Sequence, residues 1–139
     1  MTALDDASLD DTASLSPIFA LSHRAVAEQA ALDPLLATFS GVPGHDGQMT
    51  DLSPEGAEAR AAHVRSLLAE LAPMEPTNEA DRIAKAYIEE RLGAEVLKFD
   101  TGRWMAEISA IAAPHGDVRS VFDLMSRDGA DAWADIAAR

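Results

Sequence analysis

Apolar residues recur along this chain at spacings of three and four, in blocks separated by proline and glycine. The first block opens at Ser16-Pro17, where a hydroxyl acceptor precedes a proline suited to the first helical position. Ile18, Leu21, Ala25 and Leu32, with Phe19 and Val26 beside them, form a rough helical stripe. Pro34, after Asp33, either kinks this helix or begins a short second one, Pro34 to Phe39, capped by Asp33; Gly41 ends it in either case. A second start signal, Ser53-Pro54-Glu55, precedes Ala57, Ala61, Val64, Leu67, Leu68 and Leu71 on one helix face, with Glu58, Arg60, Arg65 and Glu70 mainly elsewhere. Pro73 stops this helix.

Asn78 followed by Asp81 resembles a capping arrangement and predicts a long helix. Ile83, Tyr87, Ala94 and Leu97 mark one stripe, with Ile88, Leu92, Val96 and Phe99 beside it. A stripe this wide implies contact with more than one neighbour. Gly102 predicts a bend or break; Trp104, Ile108 and Ile111 restart the periodicity, and Pro114 closes it. Asp117 is the expected cap of a short helix with Val118, Val121, Phe122 and Met125 inward. Asp128 is the expected cap of another, with Trp133, Ile136 and Ala137 on its buried side. No hairpin signal or alternating strand occurs. The fold class expected is all-α, an irregular bundle of about five to seven helices around one long helix.

The segment Ser40 to Gly56 breaks this pattern. Gly41, Gly44, Gly47 and Pro43 fall within seven residues and cannot continue a helix. So long a connection is uncommon in a compact domain and is usually functional or disordered. At the other end, Met1 to Leu15 carries Asp5, Asp6, Asp10 and Asp11 without a balancing base and reads as a disordered acidic arm, leaving residues 16–139 as the helical domain.

Composition narrows the function. The 139 residues include 28 alanines, so helix is favoured while the core is thin. A formal charge of −13 argues against nucleic acid and anionic membrane surfaces as partners. The preference for Arg over Lys, with the alanine content, suggests a GC-rich bacterial genome. Without cysteine there is no disulfide, thiol chemistry or thiolate metal site. No apolar run approaches the roughly 18 residues of a membrane span, and a cytoplasmic protein is the expectation. The last helix runs to Arg139 without a cap, which predicts that the chain is part of a longer one.

The candidate chemistry is sparse. None of His23, His45, His63 and His115 has the paired spacing of a helical zinc site. His45-Asp46 and His115-Gly116-Asp117 could form a metal site only if their two loops met. Gly44-His45-Asp46-Gly47 fits a nucleic-acid clamp in pattern but not in charge. A calcium loop counted from Asp46 has Ala57 where a bidentate Glu is required. Glu89-Glu90 diverge on a helix and cannot flank one bond. Trp104 and Trp133 are expected in the core. No residue is assigned a catalytic, cofactor-binding or metal-binding role.

Three stretches together resemble the N-terminal part of the DUF885 family of bacterial, zinc-metallopeptidase-like proteins. They are Asp33-Pro34-Leu35-Leu36-Ala37-Thr38-Phe39 with Gly41-Val42-Pro43-Gly44-His45-Asp46, then Thr50-Asp51-Leu52-Ser53-Pro54-Glu55-Gly56, then Ile108 to Pro114 with Asp117 to Met125. Ser109, Ala113 and Gly116 depart from the residues frequent in the family. The resemblance implies a non-catalytic helical segment forming part of a substrate-channel wall. It implies zinc only in a downstream H-E-x-x-P-G-H-like motif absent from this chain, and the remainder of a larger chain as partner. A freestanding interaction module, self-associating as a homodimer through the long helix, is the alternative.

Overall fold

The computed structural model describes residues 15–106 and 113–139. Among them are six α-helices and no strand: α1 (Pro17–Leu32), α2 (Pro34–Ser40), α3 (Pro54–Leu71), α4 (Glu79–Asp100), α5 (Pro114–Leu124) and α6 (Gly129–Ala138). A 3-10 turn at Arg103–Ala106 follows α4. The expected acidic arm, apart from Leu15, lies outside the described residues, as do Ile108 and Ile111.

Four of the helix starts are made by the residues whose chemistry predicts them. Backbone N–H groups orphaned at each N-terminus donate to Ser16 (from Phe19, 3.4 Å), Asp33 (Leu36, 3.1 Å), Ser53 (Gly56, 3.1 Å) and Asn78 (Asp81, 2.9 Å). Pro34 therefore begins α2 and does not kink α1. Gly41 closes α2 at φ 71°, with Val42 N–H bonded to Ala37 O at 2.9 Å and Gly41 N–H to Thr38 O at 3.2 Å. This is the Schellman arrangement, which needs a left-handed residue at its turn.

Helix α3 packs against α1 and α4; α1 also touches α2 and α4, and α2 touches α5. The predicted α3 face is buried through Ala57, Ala61, Val64, Leu67 and Leu71. Leu71 joins Ile18 and Leu21 in a core lined further by Met74, Ala84 and Ile88. Five of the buried apolar residues are alanines, so the core is shallow, as the alanine content implies. A buried carboxylate ties the starts of α1 and α4 together. Asp81 accepts from Ser16 Oγ at 2.6 Å, Thr77 Oγ1 at 2.5 Å and Thr77 N–H at 3.0 Å. These hydrogen bonds, that of Ser16 first, hold its pKa below the ordinary value.

Four expectations are corrected. Of the two stripes on α4, Ile88, Leu92, Val96 and Phe99 are half-buried, but Ile83, Tyr87 and Leu97 are exposed. Both stripes share one periodicity, and only contact with α1 and α3 decides between them. Pro114 opens a helix where closure was expected: Ala113 is extended (φ −139°, ψ 144°), as a residue before proline should be, and Pro114 stands at the first helical position. Asp117 then falls within the first turn and is not the cap. On α6, Ala132 and Ile136 are half-buried while Ala137 is exposed and Trp133 is 55% exposed, so neither Trp133 nor Ala137 is a core residue. Asp128 does precede α6, without a side-chain cap bond. Val121 and Met125 are buried as predicted, and α4 ends at Asp100 just before Gly102 (φ 69°).

Candidate functional site

Of the segment Ser40 to Gly56, residues 41–53 form the connector between α2 and α3, and it is held to the helices on both flanks. Thr50 Oγ1 donates to Asp33 Oδ1 at 2.6 Å and accepts from Leu35 N–H at 2.9 Å, so the carboxylate and hydroxyl serve the start of α2. Asp51 accepts from Ser53 N–H at 2.9 Å, and hydrogen bonding from Ser53 lowers its pKa. Its carbonyl accepts from Arg60 on α3 at 2.6 Å. Gly56 is needed here, because a Cβ would stand 2.3 Å from Asp51 O.

Arg139 secures the other side. Its guanidinium donates to Gln48 O (2.7 Å), Thr38 Oγ1 (2.9 Å), His45 O (2.9 Å) and Pro34 O (3.1 Å). One planar fork thus spans α2 and the connector, a geometry lysine cannot copy. No sequence signal reveals this contact, since the acceptors lie 91 to 105 positions away.

Beside the connector is a cleft of about 430 Å³ between the end of α1, the start of α2, the first half of α3 and the end of α4. Leu32, Leu36, Leu52, Val64 and Phe99 provide apolar lining; Asp33, Arg60, His63, Glu95 and Lys98 provide charge of both signs. Phe99 and Trp104 stack with ring centres 5.7 Å apart. Arg65 lies 5.4 Å from the centre of the Phe99 ring and is held by Asp100 and Glu58; these partners raise its pKa. The described lining contains no serine, threonine or cysteine.

The histidines stand apart in their settings. His23 and His115 are exposed; His45 is half-buried in the connector, with Nδ1 3.5 Å from Gln48 Oε1. His63 Nε2 is buried without a hydrogen-bond partner, 3.9 Å from Glu28 Oε2. Among the described residues no three His, Asp or Glu side chains converge to hold a metal ion. His63 and Glu28 together would supply two ligands, fewer than the three or four protein ligands of a zinc site.

The arrangement defines an all-α helical segment with a cleft lined by apolar side chains and charges of both signs. Residues 34–139, most of the chain, match the family model described as bacterial protein of unknown function (DUF885), and the chain belongs to this family. No curated protein matches it.

Proposed function

We propose that this chain is a non-catalytic N-terminal helical segment of a DUF885 protein of metallopeptidase type, and that it forms part of the substrate-channel wall. The observation that carries the reading is the apolar surface left uncovered: Ile83, Tyr87, Leu97, Met105, Leu124 and Trp133 are each more than half exposed. So much large apolar surface on a small helical chain suits a body that packs against further protein. The cleft lined by Phe99, Trp104 and charged groups of both signs would contribute to the channel side.

In this reading residues 16–139 act as one helical unit, zinc is held by a downstream part of the protein, and the partner is the remainder of the same chain. The net charge of −13 suits neither nucleic acid nor an anionic membrane. A cytoplasmic location is part of this proposal; among the described residues no helix is long and apolar enough to cross a membrane.

The test compares the 139-residue chain with the full product of its gene for zinc content and cleavage of unstructured peptides. The full product is expected to bind zinc and cleave, and the 139-residue chain to do neither. Stoichiometric zinc on the short chain would overturn the non-catalytic assignment. A full product with neither zinc nor peptidase activity would overturn the metallopeptidase assignment.

A further inference from the structure

The exposed face of α4 has the geometry of a helix seam. Ala80, Ile83, Tyr87, Glu90, Ala94 and Leu97 are all exposed, and their separations alternate between three and four. That alternation keeps a line of side chains facing a second helix lying along the first. Ile83, Tyr87 and Leu97 are 57%, 64% and 63% exposed, so the apolar positions of the seam lack cover among the described residues. Next to the seam, Gly93 sits inside α4 although a Cβ there would meet nothing within 4 Å. Glycine weakens a helix interior, and no packing among the described residues requires it; a closely approaching backbone would.

Glu90 decides the chemistry of the occupant. It lies mid-seam and makes no hydrogen bond or ion pair among the described residues. Covering a carboxylate with apolar side chains is costly unless a cation meets it. A second copy of the seam contains no base, since Arg91 flanks it and does not lie in it, and two chains of −13 repel. We infer that α4 docks an amphipathic helix that carries an arginine or lysine within its apolar face. Resting on the function proposed above, we assign that helix to the part of the same protein beyond this chain.

Two synthetic peptides as long as α4 test the surface. They share one apolar seam and differ only in carrying Arg or Glu at the position facing Glu90. Anisotropy titration against the 139-residue chain should show the Arg peptide binding about tenfold tighter. The preference should reverse with Glu90→Arg, and binding should vanish in Tyr87→Ser/Leu97→Ser, whose helix content is checked by circular dichroism. Equal binding of both peptides, or a preference indifferent to Glu90, overturns the inference. So does a stable dimer in sedimentation that disappears with Tyr87→Ser/Leu97→Ser, which would assign the face to a second copy.

The source is tested separately. The chain has no cysteine, so Tyr87→Cys places a thiol on the seam. Mapped by mass spectrometry, its alkylation should be at least about tenfold slower in the full gene product than in the 139-residue chain. Equal rates in a full product that binds zinc and cleaves peptides would overturn the docking and leave the proposed function standing. A slowed rate in a product that does neither would do the reverse.

Discussion

Replacing Arg139 by alanine should release the Gly-rich connector while leaving the helices formed. The guanidinium donates four hydrogen bonds to Gln48, Thr38, His45 and Pro34, all neutral acceptors. Hydrogen bonds from charged donors contribute about 1.5–3 kcal/mol when buried, but these acceptors are partly exposed and regain water when abandoned. At about 0.5–1 kcal/mol each, the four together contribute about 2–4 kcal/mol. Arg139→Lys keeps the charge but replaces the planar fork by a single ammonium, so it should recover less than half of the loss. Urea unfolding of the 139-residue chain measures the stability. Hydrogen exchange at the Gln48 amide, which donates to His45 O at 3.0 Å, reports the connector itself. A loss below about 0.5 kcal/mol with unchanged exchange, or full recovery by lysine, would show that the guanidinium fork does not hold the connector.

Other substitutions test the packing. Gly56→Ala places a Cβ 2.3 Å from Asp51 O and should lower stability by about 1–3 kcal/mol in urea, whereas Gly93→Ala meets nothing within 4 Å and should raise it by about 0.5–1 kcal/mol. Leu71→Ala, fully buried against Ile18 and Leu21, should cost about 2–5 kcal/mol and lower the thermal midpoint sharply. Asp81 has a depressed folded pKa, so its contribution is present above the ordinary value of 3.8 and is lost as pH falls through the folded value. Thermal scans should therefore show Asp81→Asn destabilising at pH 7, with the gap to wild type closing as acid protonates the native carboxyl; a gap unchanged well below pH 3.8 would refute this.

Local chemistry made much of the fold legible. Ser16, Asp33, Ser53 and Asn78 each act on an N–H three residues away, so their capping roles need no knowledge of the rest of the molecule. Gly41 and Gly102 are readable for the same reason, each being followed or preceded by bonds within its own turn. The choice between the stripes on α4 was not legible, because one periodicity serves both and only the placement of α1 and α3 decides. Trp133 misled in the same way: an apolar residue at helical spacing does not say which face finds a neighbour. Pro114 carries two meanings, stop and start, and the extended Ala113 before it selects the second. Of the site, the connector was visible as an interruption of pattern. The Arg139 contacts and the Thr50 bond to Asp33 were not, since both depend on chain segments brought together only by folding.

On the proposed function, this helical segment works as part of a larger protein. The measurement that tests it most directly is the intact mass, under denaturing conditions, of the native gene product isolated from its own cells. A species well above the 14.7 kDa of these 139 residues is expected. A native product of 14.7 kDa would contradict it.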